Sequence, residues 1–71
     1  MSSVKVCVGG LRSPRDEARL ERALCGIGSV YGAAANRQDA CVVVEYEDDE
    51  LAPDEILEAI RREGFSAELV G

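Results

Sequence analysis

Three cysteines, Cys7, Cys25 and Cys41, are the residues of this 71-residue chain best suited to chemistry, and no histidine accompanies them. Histidine is the commonest acid–base catalyst and the commonest metal ligand. Its absence excludes Ser–His and Cys–His nucleophile pairs, so the sequence predicts that the chain is not an enzyme. The odd number of cysteines and the lack of a Cys-x-x-Cys pair indicate neither a disulfide framework nor a zinc ribbon. This usage is typical of the reducing cytoplasm, where we expect the protein to reside.

Four arginines repeat at helical spacing and make up half of the basic residues. We call this set the arginine row; its members are Arg12, Arg15, Arg19 and Arg22. Because they can share one side of a helix, they predict docking to a protein partner with an acidic surface. Self-association with the acidic regions of a second copy is a version of this hypothesis. The alternative is an ordinary solvated face on which pairs such as Asp16–Arg19 keep the helix soluble.

The charge balance narrows the range of partners. Fourteen acidic against eight basic residues give a net charge of −6, which argues against nucleic-acid binding because a basic surface supplies most of that affinity. The chain has neither a signal-peptide pattern nor a run of 18 apolar residues, so no membrane insertion is predicted. The acidic run at 45–50 lacks the spacing and the glycine of a calcium loop and is predicted to be a solvated turn.

The segment from Gly10 to Arg15 suggests a further hypothesis, the sensing of an anion or small ligand. It combines a glycine, two guanidinium groups and a predicted helix N-terminus, and such an N-terminus favours anions. However, Pro14 removes one N–H from the loop, and no phosphate-binding fingerprint is present. A simple turn is the alternative for this segment.

The elements that must position these groups follow from the pattern of apolar residues. Alternation at 4–8 predicts a strand with one buried face. A helix at about 14–25 is predicted, with Ser13 as its N-cap and Asp16 closing a capping box on the backbone N–H of Ser13. The remaining predicted elements are strands at 30–36 and 40–46, a helix that Pro53 opens and Gly64 ends, and a strand from Phe65 or Ala67 to Val70.

The order β-α-β-β-α-β predicts an α+β fold, because neither helix can bury its apolar stripe alone. We expect a ferredoxin-like sandwich, in which a four-stranded antiparallel sheet carries both helices on one face. The short linkers indicate a single domain over residues 1–71.

Five segments along the chain also match the pattern of a known family. They are Val8-Gly9-Gly10-Leu11, Leu20-Glu21-Arg22-Ala23-Leu24, Val30, Ala52-Pro53-Asp54-Glu55-Ile56 and Gly64-Phe65-Ser66-Ala67-Glu68-Leu69-Val70. Over about residues 4–70, the chain resembles the heavy-metal-associated (HMA) domains of copper chaperones and of the N-terminal regions of metal-transporting P-type ATPases. This resemblance implies the same fold and an association with metal transport, with a metal transporter or another HMA-like domain as partner.

The metal-binding Cys-x-x-Cys motif of that family falls on Ser13 and Asp16, and the family's methionine falls on Leu11. Cu(I) is a soft ion that prefers thiolates, whereas Ser13 offers a hydroxyl and Asp16 a carboxylate. Helix capping accounts for both residues without a ligand. We therefore predict that the usual metal site has been lost, and a noncatalytic interaction or regulatory module is the favoured function.

The alternative function is metal binding at an unusual site formed by Cys7 and Cys41. In the family's fold the first and third strands are antiparallel neighbours. If Lys5 lies opposite Val43, Cys7 faces Cys41. A register shifted by two places Lys5 beside Glu45 and separates the cysteines diagonally. Facing cysteines predict a two-thiolate site for Cu(I) or zinc, or a reversible disulfide; otherwise they are two small apolar residues on a half-exposed sheet. No other cofactor is predicted.

Overall fold

The computed structural model describes residues 2–70 and contains the six predicted elements in the predicted order. Residues 1 and 71 of the predicted domain lie outside the described residues. The elements are β1 Ser2–Gly9, α1 Pro14–Cys25, β2 Val30–Asn36, β3 Cys41–Tyr46, α2 Pro53–Arg62 and β4 Ser66–Leu69. The strands form one antiparallel sheet in the order β2-β3-β1-β4. The predicted ferredoxin-like sandwich is therefore confirmed.

The bounds of three strands differ slightly from the prediction. The first strand covers Ser2–Gly9, which is longer than the predicted 4–8. The third strand begins at Cys41 rather than at Ala40, because Ala40 has a φ of 52° and belongs to the preceding turn. The last strand begins at Ser66, between the two predicted starting points, and ends at Leu69, one residue before the predicted end. Gly64 has a φ of 95°, a backbone conformation that glycine adopts readily at the end of a helix.

The core lies between the two helices and one face of the sheet. The inward side chains of β1 and β3 alternate with exposed ones, and they pack against the apolar stripes of both helices in a single cluster. Eight side chains of this cluster are fully buried: Leu20, Leu24, Ile56, Ile60, Val6, Val8, Val42 and Val44. Because both helices cover the same face, the opposite face, which carries Lys5, Cys7 and Val43, is exposed.

Carboxylates of α1 bind backbone groups near the end of β2, which is an edge strand of the sheet. The carboxylate of Glu21 accepts a hydrogen bond from the N–H of Ala35 at 2.9 Å, and that of Glu17 accepts one from the N–H of Arg37 at 2.8 Å. At the other edge, the Arg61 guanidinium donates to the carbonyl of Ala67 in β4 at 2.9 Å. Backbone groups that an edge strand leaves unpaired in the sheet are thus bound by side chains.

Replacing Glu21 by alanine is expected to lower the free energy of unfolding by about 1–3 kcal/mol, because the part-buried N–H of Ala35 loses its acceptor. Urea denaturation followed by circular dichroism measures this change. Glu58→Ala is the matched control, since Glu58 is an exposed helical glutamate whose side chain makes no hydrogen bond or ion pair within residues 2–70. Equal stabilities of the two variants would show that the Glu21 contact contributes nothing to stability.

Candidate functional site

The loop between β1 and α1 turns sharply at Gly10. This residue has a φ of 103°, and a side chain there would place its Cβ 3.2 Å from Cδ1 of Phe65. Glycine is therefore required both by the backbone conformation and by the close approach of the ring. The turn delivers Arg12 and Ser13 to the start of α1, at the end of the sheet where β1 meets the beginning of β3.

Ser13 and Asp16 lie at the first turn of α1, and both side chains are used in capping. Ser13 is the N-cap, and its Oγ accepts a hydrogen bond from the N–H of Asp16 at 3.3 Å. The Asp16 carboxylate accepts from the N–H of Arg12 at 3.0 Å, rather than from the N–H of Ser13 as the predicted capping box requires. These two side-chain oxygen atoms, both engaged as hydrogen-bond acceptors, are poor ligands for a soft metal ion, which prefers thiolates.

The Asp16 carboxylate also bears on the anion hypothesis for the Gly10–Arg15 loop. Pro14 has no N–H, and the N–H groups of Arg12 and Asp16 are already hydrogen bonded to capping side chains. A negative group of the chain itself thus occupies the helix start where a bound anion would be stabilised. Anion sensing at this loop stays a prediction, without support from its geometry.

Three members of the arginine row, Arg15, Arg19 and Arg22, lie on α1, whereas Arg12 lies in the loop before it, and the four are not equivalent. All four are exposed. Arg19 donates a hydrogen bond to the carbonyl of Glu63 at 2.9 Å, pairs with the Glu63 carboxylate at 4.0 Å, and lies 4.9 Å from the centroid of the Phe65 ring. Arg19 therefore fastens α1 to the turn after α2, a contact that sequence analysis did not predict. Within residues 2–70, Arg12, Arg15 and Arg22 make no ion pair.

Cys7 and Cys41 face each other across β1 and β3. The register places Lys5 opposite Val43 and Cys7 opposite Cys41, so the first of the two registers considered above is the correct one. Cys7 is exposed, whereas only 4% of Cys41 is exposed, although both point away from the helices. The metal-site and disulfide hypotheses for this pair, and the alternative of two small apolar residues on the sheet, stay predictions. Cys25, at the end of α1, is also exposed.

An acidic cluster lies at the opposite end of the sheet, just after Tyr46. Carboxylate oxygens of Glu47, Asp48 and Asp49 lie within 4.8 Å of one another. The hydroxyl of Tyr31 donates to the Glu47 carboxylate at 3.2 Å, and this hydrogen bond, with the negative charge of Glu47, raises the pKa of Tyr31 above 10.0. A hydrogen bond from Ser2 lowers the pKa of Asp48. The cluster gives the molecule an acidic end opposite the loop that carries Arg12.

Neither helix of the described chain is long and apolar enough to cross a membrane.

No family profile and no curated protein matches the sequence. Several solved structures do. A copper-binding domain from a P-type ATPase has 24% identity and a TM-score of 0.96, over 100% of this chain and 96% of that one. The CopZ metallochaperone has 27% identity and a TM-score of 0.91, over 94% and 100%. The N-terminal domain of a potential copper-translocating P-type ATPase from Bacillus subtilis has 26% identity and a TM-score of 0.89, over 97% and 86%.

These similarities cover nearly the whole length of both chains in each comparison. They confirm the resemblance to heavy-metal-associated domains of copper chaperones and of P-type ATPase N-termini.

Proposed function

We propose that this HMA-like domain is a noncatalytic, cytoplasmic interaction module of a metal-transport system. In this proposal the fold is kept, the usual Cys-x-x-Cys site is absent, and three members of the arginine row, Arg12, Arg15 and Arg22, dock on an acidic protein surface. The similarity to copper chaperones and to ATPase N-terminal domains supports the association with metal transport. A metal transporter or another HMA-like domain is the expected kind of partner.

The docking proposal rests on the exposure of three guanidinium groups and on their lack of ion-pair partners. Arg12, Arg15 and Arg22 are exposed and make no ion pair within the part of the chain that the structure describes. Charges left unpaired on a surface are free to pair with a partner, and they steer its approach. Arg19 is excluded from this docking set because its guanidinium is held by Glu63 and Phe65.

The distribution of charge also supports a partner with an acidic surface. The net charge is −6, yet Arg12 and Arg15 lie at the loop end of the sheet, while the cluster Glu47, Asp48 and Asp49 lies at the other end. A molecule with this polarity favours one orientation of an acidic partner. It also permits head-to-tail self-association, in which the acidic end of a second copy meets the arginine row.

Reversing two charges of the arginine row is expected to weaken binding of an acidic probe by at least about tenfold. The change is Arg12→Glu with Arg15→Glu, and the probe is an oligo-glutamate peptide added to ¹⁵N-labelled protein. We expect the native amide shift changes to centre on Arg12, Arg15 and Arg22, and to vanish in high salt because exposed charges are screened. Docking through the row is wrong if the reversed variant shows the same shifts.

Arg62→Glu, compared with Arg15→Glu alone so that the net charge changes by the same amount, provides the matched control for this titration. Arg62 is an exposed arginine at the end of α2, outside the arginine row. Reversing its charge therefore changes the net charge but leaves the proposed docking surface unaltered. We expect it to bind the probe nearly as the native protein does. A loss of binding equal to that of Arg15→Glu alone would mean that only net charge matters and that no defined surface exists.

A second candidate function is the binding of a soft metal ion by Cys7 and Cys41, favoured by their direct opposition in the sheet. Two thiolates suit Cu(I). An anaerobic Cu(I) titration of the reduced protein tests this function, with Cys25→Ser as the control for thiol number. An affinity that is unaltered by Cys7→Ser would remove this site.

A further inference from the structure

The position of Cys7 and Cys41 in the strand ladder brings their side chains close together. The N–H of Val8 donates to the carbonyl of Ala40 at 2.8 Å, immediately beyond the Cys7–Cys41 pair. Because hydrogen-bonded and non-hydrogen-bonded pairs alternate in an antiparallel ladder, Cys7 and Cys41 form a non-hydrogen-bonded pair. Cα atoms in such pairs are about 4.5 Å apart, which lies within the range that a disulfide spans.

The two thiols differ in access to solvent. Cys7 is exposed and borders an open depression that is also lined by Arg61 and Glu68. Cys41 is 4% exposed and lies between Cys7 and Asn36 of the neighbouring strands. A small molecule therefore reaches the sulfur of Cys7 first, and the sulfur of Cys41 is placed to react with whatever Cys7 has formed.

We propose that Cys7 and Cys41 form a reversible disulfide by exchange with a small-molecule disulfide such as oxidised glutathione. The thiolate of Cys7 attacks one sulfur of oxidised glutathione, the S–S bond breaks, and one glutathione leaves as a thiolate that takes up the proton lost by Cys7. The thiolate of Cys41 then attacks the Cys7 sulfur of the mixed disulfide and expels the second glutathione, which takes up the proton from Cys41. One dithiol is oxidised and one disulfide is reduced to two thiols.

This modification site is independent of the docking surface but lies close to it in the chain. Only four residues, Val8, Gly9, Gly10 and Leu11, separate Cys7 from Arg12. A disulfide would join the last part of β1 to the first residue of β3, closing a loop that contains α1 and β2. It would also remove both thiolates, so the oxidised protein could not hold a soft metal ion between Cys7 and Cys41.

The experiment equilibrates the whole protein in glutathione redox buffers containing a metal chelator, quenches with acid, alkylates free thiols and measures intact mass. We expect oxidation to give a species that lacks two hydrogens, in which Cys25 carries either the alkyl group or glutathione, with a peptide map linking Cys7 to Cys41. The Cys25→Ser variant should form the same link. Oxidation should raise Tm by roughly 10–25 °C, since the cross-link restricts the unfolded chain.

Two further variants check the order of the steps. In Cys41→Ser, and in Cys41→Ala should the serine variant unfold, the glutathione adduct of Cys7 should accumulate because no second thiol resolves it. In Cys7→Ser, Cys41 should stay reduced. The proposal is overturned if native protein accumulates the Cys7 adduct with Cys41 still reduced, or if both thiols stay reduced in buffers that fully modify Cys25.

Discussion

Replacing Ser13 and Asp16 together by cysteine is expected to raise the affinity for Cu(I) by several orders of magnitude. The two positions lie three residues apart at the first turn of α1, so the two sulfur atoms would converge on one ion. The helix N-terminus would favour their thiolate forms, and Cu(I) prefers thiolates to the oxygen atoms now present. The native Ser13 and Asp16 oxygens are hydrogen bonded in the cap at 3.3 and 3.0 Å.

An anaerobic competition titration against a Cu(I) chelator measures this gain. The double variant is made in a Cys7→Ser, Cys25→Ser background, so that exposed native thiols do not contribute. Ser13→Cys alone, in the same background, is the matched control with a single new thiol. If the double variant competes no better than this control, the loop does not present the two positions to one ion. The proposed correspondence between this loop and the metal site of the HMA family would then be wrong.

Truncating Ile60 to alanine is expected to remove most of the net stability of the protein, so that a large unfolded fraction is present at room temperature. Ile60 is fully buried in the contact between α2 and the sheet. Such a deletion costs about 2–5 kcal/mol. The core of a domain this small supplies only about 3–5 kcal/mol of net stability. Far-UV circular dichroism and urea denaturation measure the outcome.

Leu69→Ala is the control for the Ile60 variant, because Leu69 is 45% exposed near the end of β4. Surface substitutions of this kind change stability by about 0.5 kcal/mol or less. A small loss of unfolding free energy for Leu69→Ala and a large one for Ile60→Ala would show that burial of the side chain, and not its hydrophobicity alone, stabilises the fold. An Ile60→Ala protein with the native urea midpoint would contradict the described core.

The helices of this fold could be predicted from the sequence because their ends are marked by local chemistry. Ser13 and Pro14 define the start of α1, and Gly64 marks the end of α2 through its left-handed conformation. For the register of β1 against β3, the sequence leaves two alternatives, with Lys5 opposite either Val43 or Glu45. A shift by two residues keeps the same side chains on the same faces, so contacts between strands decide it.

The contacts that sequence analysis missed join residues far apart in the chain. Arg19 meets the carbonyl of Glu63, 44 residues away, and Glu21 meets the N–H of Ala35, 14 residues away. Neither pairing has a signal in the local spacing of residues. Helical spacing groups Arg19 with the other arginines. Its contacts with Glu63 and Phe65 depend instead on the position of the turn between α2 and β4.

The side chains that bind the backbone at the sheet edges restrict how a partner can bind. Many domains recognise an extended peptide by adding it as a further strand, which requires free backbone groups at an edge. Here Glu17 and Glu21 occupy N–H groups near the end of β2, and Arg61 occupies a carbonyl of β4. Strand addition at either edge would first have to displace these contacts. The same contacts oppose the stacking of one molecule on the next into fibres.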